Sequence, residues 1–264
     1  MKLSISNIAW SKEDDERVYA LMKKYGYSGL EIAPTRIFPE NPYADLESAK
    51  KWSEELKKEY DFSIPSMQSI WYGRQEKIFG TAEERAILLS YTRKAIDFAV
   101  AVGCRNLVFG CPRNRNLPEG ADLSTAISFF KELGEYARSR GTTIGMEANP
   151  TIYNTNYIND TKAALKLIKE VDSPGFLLNL DIGTMIQNNE EINELVGNER
   201  YINHIHISEP GLKVIQHRKI HNQLHNILFH ADYKGFISIE MGTVDEVIKI
   251  EEVLKYIRSI FVSD

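Results

Sequence analysis

The feature that most constrains this chain is a repeated change of period. Short runs rich in β-branched and aromatic residues alternate with longer runs whose apolar residues recur at helical spacing, and the alternation continues from the first residues to the last without a linker. The spacing predicts strands over 2–6, 28–33, 63–68, 106–110, 142–147, 176–181, 202–207 and 235–240. Helical patterns fall near 13–25, 45–60, 82–102, 123–140, 160–171, 189–196, 221–233 and 244–260, with Ser11, Asp122, Asp160 and Thr243 as N-cap candidates. Eight β and eight α units in 264 residues predict an α/β chain folded as a single (β/α)8 TIM-barrel domain. The rival is an open doubly wound sheet. A nucleotide-binding version of it lacks its phosphate loop, because no two of the 16 glycines stand two apart.

Sorting the later strands into two faces by alternation gives a more specific signal. In the fifth, Ile144, Met146 and Ala148 oppose Thr143, Gly145 and Glu147; in the sixth, Phe176, Leu178 and Leu180 oppose Leu177, Asn179 and Asp181. In the seventh, Ile205 and Ile207 oppose Ile202, His204 and His206; in the eighth, Ile237, Ile239 and Met241 oppose Phe236, Ser238 and Glu240. Each apolar face can pack under helices, while each opposite face ends in an ionisable side chain. In a parallel barrel these C-terminal ends meet at one rim.

Three carboxylates crowded at that rim repel one another unless a cation sits among them. Glu147, Asp181, His206 and Glu240 together suit one divalent ion such as Mn²⁺, Co²⁺, Mg²⁺ or Zn²⁺, and the lack of thiolate ligands disfavours a structural zinc site. The plainer alternative is four polar strand ends paired with loop lysines or arginines. Glu147 and Glu240 end strands three apart, so they can approach a bound carbon from opposite sides. With a metal polarising a neighbouring oxygen, one carboxylate removes a proton and the other returns it, which is the chemistry of epimerisation or of isomerisation through an enediolate.

These segments resemble a known family. Glu147 in Ile-Gly-Met-Glu-Ala-Asn-Pro, Asp181 in Leu-Asn-Leu-Asp-Ile-Gly, His206 in His-Ile-His-Ile-Ser-Glu-Pro and Glu240 in Ser-Ile-Glu-Met look like the metal-binding strand ends of the sugar phosphate isomerase/epimerase proteins, the xylose-isomerase-like TIM barrels. Gly29-Leu30-Glu31-Ile32 resembles that family's second strand. The resemblance implies metal ligation by Glu147, Asp181, His206 and Glu240, with Glu147 and Glu240 as the acid/base pair, and a small carbohydrate as substrate. It also has departures. Members acting on free ketohexoses usually have a substrate-binding His where this chain has Thr184, an Arg near the present Pro210, Gly211 and Leu212, and a second Glu near the present Tyr153. The family's apurinic endonucleases use several histidines, some early in the chain, whereas all six here lie at 204 or later.

Other residues have two readings each. Glu31 either binds a substrate hydroxyl or forms a structural ion pair; His204 reads as a hydrogen-bonded interior histidine, and Asn179 as an interior amide orienting Glu147 or Asp181. Arg113 and Arg115 follow the fourth strand and either hold a substrate or lie in a solvated loop. Trp71 offers a sugar-stacking face or a hydrophobic wall. His221 is a candidate substrate contact or proton relay. Cys104 and Cys111 cannot make a disulfide framework and read as small buried groups in a cytoplasmic protein. A net charge of −5 with interspersed signs argues against nucleic acid and anionic membrane partners, and no stretch is apolar enough to span a membrane. Homo-oligomerisation is plausible. Three functions remain: a metal-dependent sugar isomerase or epimerase, a lyase on a keto-polyol with the same metal site, and a sugar-binding barrel without turnover.

Overall fold

The computed structural model describes residues 1–262. Strands β1 (Lys2–Ser6), β2 (Gly29–Glu31), β3 (Asn106–Phe109), β4 (Thr143–Met146), β5 (Phe176–Asp181), β6 (Ile202–Ile207) and β7 (Phe236–Ile239) alternate with nine α-helices among the described residues. The strands form one parallel sheet in the order β2-β1-β7-β6-β5-β4-β3. The expected strand over 63–68 is reduced to single bridges. Ser63 pairs with Gly29, and Met67 pairs with both Ile32 and Leu107, so this segment lies between the two edge strands. Pro65 accounts for the interruption, since it has no N–H to give a ladder.

The helices are α1 (Asp15–Lys24), α2 (Pro34–Ile37), α3 (Leu46–Tyr60), α4 (Ala82–Ala101), α5 (Ser124–Ser139), α6 (Thr161–Val171), α7 (Ile182–Asn188), α8 (Lys219–His230) and α9 (Val247–Phe261). Asp160 caps α6 by accepting from the Ala163 amide at 2.7 Å, and Asp122 accepts from the Ser124 amide at 2.9 Å. Ser11 and Thr243 make no such cap: Ser11 precedes a short 3₁₀ turn, and Thr243 donates its hydroxyl to the Ile8 carbonyl at 2.9 Å. The helix expected over 189–196 is displaced. It starts directly after β5 at Ile182, because Asp181 accepts from the Thr184 amide and so serves as its N-cap.

The apolar faces of the strands pack under the helices as alternation requires. Ile144, Met146, Phe176, Leu178, Leu180, Ile205, Ile207, Ile237 and Ile239 are all buried. Phe130 stacks on Phe176 and meets Phe109 edge-on, joining α5 to β3 and β5. A chain of amides crosses the interior from half-buried Asn203 to fully buried Asn106 and Asn179. Asn203 donates to Asn106 at 2.8 Å, Asn106 donates to Asn179 at 3.2 Å, and Asn179 donates to Glu147 at 2.9 Å.

Candidate active site

Because β4 to β7 run parallel and adjacent, their C-terminal ends bring four side chains to one place. Glu147, Asp181, His206 and Glu240 each offer a ligand atom within 4.8 Å of the others. Glu147, Asp181 and Glu240 open onto a cavity of about 170 Å³, and His206 is fully buried beside them.

Glu147 and Asp181 are each held by hydrogen bonds from their neighbours. Asn179 donates to Glu147 Oε1 at 2.9 Å and Asn149 donates to Oε2 at 3.2 Å. Room for this carboxylate depends on Gly110, where a Cβ would lie 3.0 Å from Glu147 Oε2. The Ser208 hydroxyl donates to Asp181 Oδ2 and itself accepts from the Gly183 amide at 2.9 Å. Burial pushes Asp181 up to about 6, helped by the charge of Glu147, and burial pushes Glu240 up to about 7.

His206 uses its two nitrogens differently. Nε2 lies 3.0 Å from Glu31 Oε2, an oxygen also 3.0 Å from His204 Nε2. Burial opposes charge on both sides of this cluster, yet the histidines hold Glu31 far below the usual carboxylate range, and Glu31 with Glu240 holds His206 well above the usual imidazole range. His204 is held below that range by burial. Nδ1 of His206 lies 2.9 Å from Glu147 Oε1 and 3.2 Å from Glu240 Oε2, but neither oxygen lies where a ring N–H donates, so this buried atom makes no hydrogen bond. A misaligned ring nitrogen facing three carboxylates fits a cation better than it fits protons. With Nε2–H given to Glu31, the Nδ1 lone pair and the carboxylate oxygens form an N/O donor set for a divalent ion, and Glu31 orients the imidazole.

The other sequence candidates are placed elsewhere. Glu31 is fully buried and bound to the two histidines, so it meets the site through His206 and does not line the cavity. Arg115 is also fully buried. Its Nε donates to the Tyr157 carbonyl at 3.0 Å, Nη1 to the Gly110 and Glu147 carbonyls, and Nη2 to Asn149 Oδ1 at 3.0 Å and the Ile158 carbonyl at 3.1 Å. All five N–H groups are used, which leaves none for a substrate. Arg113 is exposed and does not line the cavity. Trp71 is buried, donates to Thr92 at 2.8 Å and packs edge-on against Phe109, so it is a wall inside the core and not a sugar platform. His221 lies on the buried face of α8 with Nδ1 2.8 Å from the Tyr256 hydroxyl, and it does not line the cavity.

Several lining residues escape the strand-end reading. Asn149 continues the alternation of Glu147 by two residues, a signal present in the sequence. Gln68 ends the expected third strand and Ser208 continues the alternation of His206 by two residues, whereas Cys111, Tyr153 and Leu212 come from loops whose paths no period encodes. Tyr153 reaches across to the Gly211 amide, accepting at 2.9 Å, and so ties the loop after β4 to that after β6. Cys111 takes a left-handed φ of 43°, and burial pushes its thiol up to about 12, which makes it a poor nucleophile.

Residues 19–260 match the family model for the xylose isomerase-like TIM barrel, and the chain belongs to that family. Among solved structures it is similar to D-psicose 3-epimerase from Clostridium cellulolyticum H10, with a TM-score of 0.79 and 15% identity over 99% of each chain. It is similar to 3-keto-D-glucoside 4-epimerase from E. coli, with a TM-score of 0.75 and 18% identity over 98% of this chain and 99% of that one. A family 2 AP endonuclease from Brucella melitensis gives a TM-score of 0.72 and 17% identity over 96% and 97%. No curated protein matches the chain by sequence.

Proposed function

We propose that this protein is a divalent-metal-dependent isomerase or epimerase of a keto-sugar or sugar derivative, with Glu147 and Glu240 as its proton-transfer pair. The observation that carries this reading is the meeting of Glu147, Asp181, Glu240 and His206 Nδ1 at one cavity, with the nitrogen buried and lacking a hydrogen bond. The epimerases among the similar structures support it through the shared fold.

A divalent ion bound there would polarise a substrate oxygen and acidify the adjacent C–H. Asp181 and His206 would hold the ion, each fixed by a further group: Ser208 and the Thr184 amide on Asp181, Glu31 on His206. Glu147 and Glu240 would share in ligation and stand on strands separated by β5 and β6, so they face a bound carbon from different sides. One removes its proton and the other returns one. Glu240 suits this exchange, since burial brings its carboxyl near neutrality. Glu147 is kept in one orientation by Asn149 and Asn179. The acidic cavity and the single imidazole in the cluster give no support to a DNA-directed reading.

The test is solvent-deuterium incorporation and product analysis with Glu147→Gln and Glu240→Gln, each shown to be folded. Either change removes a group that moves the proton and should cost at least about 10²-fold in rate. A product that is an isomer of the substrate, heavier only by the deuterium taken from solvent, supports the isomerase reading, whereas loss of water from the substrate would make the protein a lyase. Near wild-type turnover in either variant would refute the two-carboxylate mechanism.

A further inference from the structure

We infer that Gln68 and Tyr153 hold the sugar, Gln68 accepting from one of its hydroxyls through Oε1 and Tyr153 donating its phenolic O–H to another. This rests on the reading of the site given above and adds the side chains that orient the substrate beside the proton-transfer pair.

Besides Glu147, Asp181 and Glu240, the cavity-lining side chains that carry nitrogen or oxygen are Gln68, Ser69, Asn149, Tyr153 and Ser208. Two of these are spent on the protein. Ser208 gives its hydrogen to Asp181 and accepts from the Gly183 amide, while Asn149 accepts from Arg115 at 3.0 Å and donates to Glu147 at 3.2 Å. Ser69 is exposed to bulk water. Gln68 and Tyr153 remain as the sheltered neutral groups, and each keeps one hydrogen-bonding function that no described residue uses.

Gln68 is buried, and its amide is oriented from behind. Nε2 donates to Ser6 Oγ and to Glu31 Oε1, the latter at 3.3 Å. A carboxylate bridging two histidines accepts and does not donate, so it selects the NH₂ end of the amide and leaves Oε1 as an acceptor on the cavity wall. The same carboxylate meets His206 through Oε2, so Glu31 sets the amide and the imidazole together. Tyr153 supplies the complementary function. Its oxygen accepts from the Gly211 amide at 2.9 Å, which fixes the phenol and leaves its own hydrogen to give. Burial raises the pKa of this phenol, as do the charges of Asp181, Glu240 and Glu147, so it faces the acidic cluster as a neutral donor. A sugar hydroxyl both donates and accepts, and a fixed acceptor with a fixed donor in one cavity can hold two of them in place.

The experiment is calorimetry on Mn²⁺-loaded wild type, Tyr153→Phe and Gln68→Met, with D-psicose, D-tagatose and D-fructose and with the 1-, 3-, 4- and 6-deoxy forms of whichever binds most tightly. Mn²⁺ uptake and deuterium incorporation are measured in the same samples. Each variant should take up Mn²⁺ as wild type does and bind the parent sugar at least roughly fivefold more weakly. In wild type, two of the deoxy forms should carry a penalty of similar size, one of which vanishes in Tyr153→Phe and the other in Gln68→Met. A side chain that only shaped the loops would weaken every form alike and leave both penalties in place, which overturns the inference. So does a variant that binds like wild type, a wild type indifferent to every deoxygenation, or a variant that loses Mn²⁺, since that side chain would then support the metal site. Failure of every sugar to bind wild type overturns the inference together with the reading beneath it. Binding without deuterium incorporation contradicts the proton-transfer reading alone, and vanishing penalties would still support the assignment of Gln68 and Tyr153.

Discussion

Arg113 and Arg115 stand two residues apart in one loop, and the structure gives them opposite fates. Arg115 is fully buried and joins the loop after β3 to the end of β4 and to the 147–158 segment, reaching the Glu147 carbonyl and the Asn149 side chain that holds Glu147. Arg113 is exposed. Replacing Arg115 by Met strands several buried acceptors at once, each costing on the order of 1–3 kcal/mol if left unpaired. Arg115→Met should therefore lose about 3 kcal/mol or more of stability, while Arg113→Met should stay within about 0.5 kcal/mol of wild type. Chemical denaturation checks both, and equal effects would contradict the placement. Nothing in the local sequence distinguishes these arginines, because the acceptors of Arg115 are mostly carbonyls brought together by the fold. Glu147, Asp181, His206 and Glu240 were legible as a group for the opposite reason: period-2 alternation places each at a strand end, and parallel strands bring such ends together.

At the level of elements, His221 shows a signal that was present but outweighed by its polarity. It shares the buried face of α8 with Leu224 and Leu228, at the i, i+3, i+7 spacing of a core stripe. Its Nδ1 meets the Tyr256 hydroxyl of α9, which also accepts from the Arg218 amide at 3.0 Å, so the contact ties two helices together. Burial pushes His221 down to about 4. A pKa depressed on folding contributes stability above the unfolded value near 6.5 that is lost as pH falls through about 4, a change of about 3 kcal/mol. His221→Asn should remove that acid sensitivity, so its stability deficit relative to wild type should shrink by about 3 kcal/mol between pH 7 and pH 4. A deficit that does not change with pH would mean that His221 titrates normally. Two elements departed from the expected pattern for local reasons. Pro65 reduces one strand to bridges, and Asp181 starts α7 at once because a carboxylate at a strand end can also cap a helix.

Across the whole molecule, the alternation of strands and helices was readable because it repeats, and the polar interior was readable because it follows the same alternation. The loops that form the cavity's upper wall carry no period, and Tyr153, Leu212 and Cys111 reach it only through the turns of the folded chain. The proposed metal site makes stability depend on occupancy of the central acidic cluster. A divalent ion at 100 times its dissociation constant would add about 2.7 kcal/mol, and a chelator would remove it. Asp181, raised to about 6, and Glu240, raised to about 7, hold protons below those values, and an ion must displace them. Stabilisation by Mn²⁺ should therefore be small at pH 5 and full at pH 8, and thermal melts with and without the ion check it. A stabilisation that is the same at both pH values would mean that the ion binds elsewhere.

The most direct test of the account is metal analysis of wild type beside Asp181→Ala and His206→Ala, purified identically and incubated with Mn²⁺, Co²⁺, Mg²⁺ or Zn²⁺. The account predicts about one divalent ion per wild-type chain and its loss in both variants. A wild type that takes up no ion, or variants that retain it fully, would contradict the account.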